Sequence, residues 1–155
     1  AIRLLLLTGC RLNEILSLSW QEVDFDQSCL FLLDSKRGKR TVYLSPPALE
    51  LLQNIPREKD HPYVIAGKNR QAHLINLHKP WRRIRKKASL DDVRIHDLRH
   101  TFASVAAANG LSLPIIGALL GHSQTQTTAR YAHLVGQPLL EAVGKVGESI
   151  HVRRI

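Results

Sequence analysis

Apolar positions recur at helical spacing along most of the chain and at strand spacing in one short region. The run "IRLLLL" stops near Gly9, and "RLNEILSL" then resumes a helical pattern with its apolar residues on one side. The segment "SCLFLLDSKRGKRTVYLS" predicts two short antiparallel strands joined by a basic turn at Gly38, and in the second strand Val42 and Leu44 alternate with polar or amphipathic neighbours. The pattern therefore predicts a mainly α protein with a small antiparallel β-sheet, in the α+β class.

The remaining pattern is also mostly helical. "SPPALELLQNI" predicts a helix with Ser45 as its N-cap. "KPWRRIRKKASL" predicts another, with an inner stripe made of Trp81, Ile84 and Ala88. Residues 97–109 form a further predicted helix that ends at Gly110, and three shorter ones follow in "SLPIIGALLGH", "QTTARYAHL" and "PLLEAVGKVGESI". Residues 56–78 carry loop signals and one candidate short strand at 63–65.

Composition adds a strong positive charge to this picture. The 155 residues fit one domain and include 22 Lys and Arg against 13 Asp and Glu, for a formal net charge of +9. Such an excess predicts a polyanionic partner, usually nucleic acid and less often an acidic membrane surface. The apolar run at the start is too short to cross a bilayer. Cys10 and Cys29 lack metal or redox spacing and are predicted to be buried thiols in a reducing compartment.

The stretch "IHDLRHTFAS" raises a choice between two chemistries. On a helix, His96, Arg99 and His100 fall on one face, which is predicted to be cationic. The opposite face is predicted to lie in the core and contains Leu98, Phe102 and Val105. This arrangement fits either a metal site or a cationic grip on phosphate.

Chemistry favours the phosphate grip. A metal site would use His96 and His100 with a third ligand from His122, but Arg99 would place a fixed positive charge beside the metal. Asp97 is too short to replace the glutamate of a helical metalloprotease site and is better placed as a helix N-cap. A phosphoryl transition state instead needs several cations, since its negative charge spreads over several oxygens.

Four stretches together resemble the motifs of one family, the tyrosine recombinases or phage-integrase family. "TGCRLNEIL" resembles the family's first arginine box, "HDLRHTFAS" its H-x-x-R box, "LGHSQTQTTARYAHL" its G-H and nucleophile boxes, and "SKRGKRTVYLS" the hairpin that carries its lysine. The resemblance runs from about residue 3 to residue 135. It implies that residues 1–155 are the catalytic domain of such an enzyme, without the N-terminal DNA-binding domain and the start of the first helix.

The resemblance also implies six catalytic residues. Tyr131 would attack a DNA phosphodiester and leave a 3′-phosphotyrosyl link with a free 5′-hydroxyl. The other implied roles are phosphate-oxygen binding by Arg11, Arg99 and His122, proton transfer at the nucleophile by His96, and protonation of the leaving oxygen by Lys36.

Three neighbouring residues receive secondary assignments. Lys39 is the alternative to Lys36, because turn registers are easily misread by a few residues. His100 is expected to pack against the scaffold or to hydrogen-bond to it, and Glu14 is expected to be structural and to orient a cation. Because arginines and a lysine would neutralise the charge that metal ions neutralise in other phosphoryl-transfer enzymes, no metal or other cofactor is expected.

The basic hairpin turn and the basic helix are candidate contacts to the DNA backbone. The residues expected there are Arg37, Lys39, Arg40, Arg82, Arg83 and Lys86. Contacts to phosphate position a protein on the duplex without specifying a sequence. Double-stranded DNA is therefore the expected partner, and accessory DNA-bending proteins are further candidates.

The segment after Tyr131 carries a last apolar stripe at near-helical spacing, made of Leu139, Leu140, Val143, Val146 and Ile150. In the family that the chain resembles, this tail often docks on a neighbouring subunit, which implies a homotetramer on two DNA duplexes. Docking within the same chain fits the stripe equally well. The resemblance further implies a cytoplasmic enzyme of bacterial or phage origin.

Two alternatives to a recombinase stay open on the sequence. A type IB topoisomerase-like enzyme would share the nucleophile chemistry but reseal the same strand. A metal-dependent hydrolase would use His96, His100 and His122. An inactive DNA-binding relative is disfavoured, because all six candidate catalytic positions are filled.

Overall fold

The computed structural model describes residues 1–33, 38–57, 61–69, 71–122, 124, 126–134, 143, 144, 146 and 148. The chain divides into two compact units, residues 1–102 and 103–155, and the boundary falls inside one helix. No helix among the described residues is long and apolar enough to span a membrane.

The first unit begins with two short helices separated by a sharp break. Helix α1 (Ile2–Thr8) ends at Gly9, whose φ of 62° lies in the left-handed region that favours glycine. Helix α2 (Leu12–Leu16) begins after Arg11, whose extended backbone makes it the N-cap. The predicted interruption of the helical pattern at Gly9 is confirmed.

A small antiparallel sheet follows a 3-10 helix at Trp20–Glu22. Its strands are β1 (Val23–Asp24), β2 (Cys29–Leu32) and β3 (Arg40–Tyr43), in the order β1-β2-β3. Strands β2 and β3 are the two predicted ones, whereas β1 and the 3-10 helix have no equivalent in the prediction. Leu32 pairs with Arg40 across the sheet, and Leu30 pairs with Val42. Because side chains alternate along a strand, Arg40 lies on the same face as the buried Val42.

Helices α3 (Pro46–Gln53), α4 (His78–Lys87) and the first half of α5 (Asp97–Ala108) complete the first unit. The candidate strand at 63–65 is absent. The described part of residues 56–78 contains two isolated antiparallel bridges, Ser19 with Tyr63 and Ala66 with His73. One hydrophobic cluster holds the unit together, and its fully buried members include Leu4, Ile15, Leu18, Leu30 and Leu52.

Two predicted core faces differ from the structure. On α4, Trp81 is buried, but Ile84 is 46% exposed and Ala88 is also exposed. On α5, Leu98 is buried as predicted, but Val105 is 56% exposed. The buried stripe of α5 instead contains Arg99, Ala103 and Ala107, which are four residues apart. Arg99 can lie in this stripe because its guanidinium donates a hydrogen bond to the buried carbonyl oxygen of Gly9.

The second unit contains the rest of α5, followed by α6 (Leu113–Leu120), α7 (Gln126–Ala129) and a 3-10 helix at Ala132–Leu134. Ile116, Leu120 and Thr128 are buried where α6 and α7 meet. Helix α7 contains only four residues, so the helix predicted over "QTTARYAHL" stops after one turn. Tyr131 lies in the turn between α7 and the 3-10 helix.

The last predicted helix falls mostly outside the described residues. Leu139, Leu140 and Ile150 are not described, whereas Val143 and Val146 are helical and exposed by 70% and 58%.

Candidate active site

A single buried carboxylate holds two arginines in the first unit. Glu14 Oε1 accepts a hydrogen bond from Arg11 Nη1 at 2.8 Å, and Glu14 Oε2 accepts one from Arg40 Nη2 at 3.1 Å. The backbone N–H of Arg11 also donates to Glu14 Oε2, at 2.7 Å, as in a capping box at the start of α2. Each carboxylate oxygen therefore has its own arginine, and the expectation that Glu14 orients a cation is confirmed.

Arg99 is the third arginine of this region. It is 5% exposed, and its Nη1 donates to the carbonyl oxygen of Gly9 at 2.6 Å. Desolvation by burial, reinforced by the positive charges of Arg11 and Arg40, lowers the pKa of Arg99 from its usual range to about 10. The negative charge of Glu14 opposes this lowering. We call Arg11, Arg40 and Arg99 around Glu14 the arginine cluster.

The arginine cluster has an excess of positive charge. The cluster contains three guanidinium groups and one carboxylate, which gives a formal charge of +2. Cys10 adds no negative charge, because its burial raises the pKa of the thiol. Its Sγ lies 3.5 Å from Arg40 Nη2. Cys10 and Cys29 are both buried and free, which confirms the predicted buried thiols.

The two histidines around Arg99 have different surroundings. The rings of His96 and His100 meet edge to face, with centroids 4.9 Å apart, and His96 is exposed in the turn before α5.

Asp97 is already the first residue of α5, so the prediction that it is the N-cap was wrong. Its carboxylate accepts the backbone N–H of Arg94 at 2.8 Å, which lowers the pKa of Asp97.

Within the described ranges, no three His, Cys, Asp or Glu side chains lie close enough together to hold a metal ion.

A groove of about 580 Å³ in the first unit connects His96 and Arg99 with the basic helix α4. Trp81 Nε1 and Arg85 Nη1 both donate to the carbonyl oxygen of Val93, at 3.0 and 3.1 Å, and so fix α4 beside the groove. None of the described residues that line the groove is acidic. Its Lys and Arg residues are Lys79, Arg82, Arg85, Arg94 and Arg99.

The second unit holds His122 and Tyr131, which share one contact residue. His122 Nδ1 lies 2.9 Å from the hydroxyl oxygen of Thr128, and the backbone N–H of Tyr131 donates to the carbonyl oxygen of Thr128 at 3.0 Å. Thr128 is 1% exposed, and Tyr131 is 5% exposed. A Cβ at Gly117 would lie 3.0 Å from the Thr128 hydroxyl, so a glycine there lets α6 approach α7 closely.

The structure distributes the sequence-predicted residues as follows. Arg11 and Arg99 come together in the arginine cluster, and His122 and Tyr131 come together around Thr128. Among the expected DNA contacts, Lys39, Arg82, Arg83 and Lys86 are exposed, whereas the side chain of Arg40 is only 13% exposed. Lys36 and Arg37 lie outside the described residues.

Sequence reasoning missed the internal position of Arg40 and the role of Thr128. The spacing of Arg40 from the apolar Val42, two residues later on β3, was the available signal for Arg40. Thr128 gave no local signal, since its contact with His122 depends on how α6 meets α7.

The family model described as "Phage integrase family" matches residues 1–137. The chain belongs to the phage integrase family. A tyrosine recombinase XerA of Saccharolobus solfataricus is 34% identical over 140 residues, which cover 86% of this chain and 45% of the relative. The chain spans about half the length of the curated relatives it matches.

Solved structures of phage-integrase relatives share this fold. A XerA recombinase matches with a TM-score of 0.69 at 29% identity, over 92% of this chain and 54% of that one. The XerH site-specific recombinase, crystallised with a palindromic difH substrate, matches with a TM-score of 0.71 at 25% identity, over 92% of this chain and 43% of that one. The predicted resemblance and the predicted mainly α fold with a small antiparallel sheet are both confirmed.

Proposed function

We propose that residues 1–155 form the catalytic domain of a site-specific tyrosine recombinase that cuts and rejoins double-stranded DNA. The observation that carries this proposal is the arginine cluster, whose excess positive charge suits a phosphoryl transition state. It stands beside a basic groove in a member of the phage integrase family.

The proposed reaction begins with attack by the Tyr131 hydroxyl oxygen on a DNA phosphorus. The tyrosine proton passes to His96, the bond from phosphorus to the 5′-oxygen breaks, and Lys36 protonates that oxygen. Because the phosphotyrosyl ester conserves the bond energy, a 5′-hydroxyl of another strand can attack it and release Tyr131 without ATP.

Arg11 and Arg99 would bind the non-bridging oxygens of the reacting phosphate. The buried charge of Arg99 makes this site especially suited to an anion, since a phosphate would offset the cost of burial. When the Thr128 hydroxyl donates to His122 Nδ1, the proton of the neutral imidazole lies on Nε2, which would donate to a phosphate oxygen.

The names of the relatives favour recombination over the two alternatives. The curated relatives are called tyrosine recombinases or an integrase, and the XerH structure contains its difH substrate. Neither a topoisomerase-like nor a metal-hydrolase activity gains comparable support. As finer parts of the proposal, the enzyme would act in the cytoplasm as a homotetramer linked by its C-terminal tails, with accessory DNA-bending proteins as further partners.

The test is to trap the covalent intermediate. The protein is incubated in EDTA with a pool of nicked duplexes of randomised sequence, in which the short 5′-hydroxyl fragment escapes after cleavage, and the reaction is stopped with SDS. An adduct mapped to the Tyr131 peptide is expected. Cleavage that needs a divalent metal and leaves no adduct would overturn the proposal. A protein that forms the adduct and relaxes supercoiled DNA, but never joins two different DNA molecules, would favour the topoisomerase alternative.

The contact between Thr128 and His122 predicts a separate effect. Thr128→Val keeps the side-chain shape but removes the hydroxyl, so His122 loses the contact that fixes its ring. The rate of adduct formation is expected to fall about tenfold, as is typical when a residue that orients a functional histidine is removed. The measurement is the single-turnover rate, with Thr127→Val as the control. An equal loss in the control variant would contradict this role of Thr128.

The exposed face of α4 predicts a salt-dependent effect on binding. Arg82→Gln is expected to weaken DNA binding uniformly across sequences and to reduce the slope of log K against log salt by about 1. Fluorescence anisotropy at four salt concentrations measures this slope. Arg57→Gln is the matched control, because its guanidinium stacks on Trp20 at 4.2 Å from the ring centre. A slope unchanged in Arg82→Gln would remove α4 from the proposed DNA interface.

A further inference from the structure

Arg40 and its neighbour Lys39 belong to the same basic segment but point to different surroundings. Lys39 is exposed, whereas the Arg40 side chain is 13% exposed and lies on the sheet face that contains Val42. Arg40 pairs with Leu32 in the sheet, and Leu32 is also buried. The strand register therefore directs the Arg40 guanidinium into the unit, although the sequence predicts that the basic hairpin turn containing Arg40 contacts DNA.

Inside the unit, Arg40 meets the carboxylate that also holds Arg11. Glu14 is 8% exposed and divides its two oxygens between the two guanidinium groups. The oxygen that Arg40 contacts is the one that accepts the Arg11 backbone N–H. Arg40 and Arg11 thus restrain the same carboxylate from two sides.

We propose that Arg40 is a positioning residue for strand cleavage, which acts through Glu14 to hold the Arg11 guanidinium in place. This inference rests on the proposed function, because Arg11 binds the reacting phosphate there. Arg40 touches Glu14 and Cys10, so its part is to fix the geometry of the cluster.

The physical reason lies in how a carboxylate is fixed. With Arg40 present, rotation of the Glu14 carboxylate about its last bond breaks two charge-assisted hydrogen bonds to Oε2, one from the Arg40 guanidinium and one from the Arg11 backbone N–H. Without Arg40, the rotation breaks only the bond from the backbone N–H, and the Arg11 guanidinium follows Oε1 away from its productive orientation. A displacement of about 1 Å at a reacting group costs on the order of 100-fold in rate.

The first experiment separates positioning from DNA contact. For Arg40→Gln, the single-turnover rate of adduct formation at saturating DNA is expected to fall about 100-fold, while DNA affinity and its salt slope stay within twofold. Arg40→Lys is expected to recover part of the rate. Because Arg40 acts through Glu14, the double variant Glu14→Gln with Arg40→Gln is expected to be no slower than Glu14→Gln alone. Arg57→Gln, the charge-matched control, is expected to keep the rate, because its guanidinium stacks on Trp20 away from the arginine cluster. Lower affinity with an unchanged rate at saturation would overturn the proposal in favour of a phosphate contact.

The second experiment needs no DNA. Hydrogen exchange at the Arg11 backbone amide, measured by NMR, reports whether Glu14 still accepts that N–H. Arg40→Gln is expected to accelerate this exchange at least about tenfold, and Arg57→Gln is expected to leave it unchanged. Unchanged exchange in Arg40→Gln would overturn the proposal. A wild-type protein without an adduct, but with the expected exchange result, would refute the proposed function and leave the action of Arg40 on Glu14 established.

Discussion

Tyr131→Phe is expected to reduce covalent attachment to DNA by more than about 10⁴-fold. The substitution removes only the hydroxyl oxygen that would attack phosphorus, and the ring still fills its buried position in the turn after α7. A free tyrosine has a pKa near 10, so its ionisation at neutral pH costs about 4 kcal/mol, which the cations of the site must offset. Since phenylalanine supplies no nucleophile, these cations cannot restore the reaction.

The measurement is the trapped adduct in EDTA, separated on a denaturing gel. Tyr43→Phe is the matched control, because that ring is 73% exposed on β3 and has no expected part in the chemistry. DNA affinity is expected to be the same in both variants. An adduct that persists in Tyr131→Phe would assign the nucleophile to another residue.

Arg99→Met is expected to lower the cleavage rate by about 10³-fold and, at the same time, to stabilise the fold. Arg99 would bind a non-bridging oxygen, and removal of one such donor costs about 10²–10³ in rate. The lowered pKa of Arg99 means that burial disfavours its charged form. With the pKa of Arg99 lowered to about 10, the free-energy penalty for its charged form at neutral pH is about 3 kcal/mol.

The expected gain in stability is smaller than that penalty. Methionine cannot donate to the Gly9 carbonyl, and an unpaired buried carbonyl costs about 1–3 kcal/mol. The free energy of unfolding of Arg99→Met is therefore expected to rise by about 1 kcal/mol, as measured by urea unfolding at pH 7. Arg99→Lys retains a buried charge and is expected to give no gain. A less stable Arg99→Met protein would show that the Gly9 hydrogen bond outweighs the cost of the charge.

The elements that could be predicted are those specified by nearby residues. The break at Gly9 and the strands on both sides of the hairpin turn follow from local patterns, and the structure confirms them. The burial of Arg99 could not be predicted in this way, because its partner Gly9 is 90 residues earlier in the chain. Helical periodicity alone placed Arg99 with the polar residues of α5, whereas Ala103 and Ala107 continue its buried stripe.

The candidate site follows the same distinction. The motifs identified Arg11 and Arg99, and the structure places both in one cluster. The motif around Tyr131 gave no indication that Thr128 contacts both His122 and the backbone of Tyr131, since that arrangement requires α6 and α7 to be packed. Residue type and spacing thus predicted which side chains are candidates for the chemistry, and tertiary packing determines what holds them.

The shared carboxylate of Glu14 has a consequence for how these positions evolve. Because Glu14 binds the Arg11 guanidinium through one oxygen and the Arg40 guanidinium through the other, loss of the acid would leave two partly buried cations near each other without a counter-charge. Related sequences that lack an acid at the position of Glu14 are therefore expected to lack the arginine of β3 as well. The two positions, 26 residues apart, are expected to covary across the family.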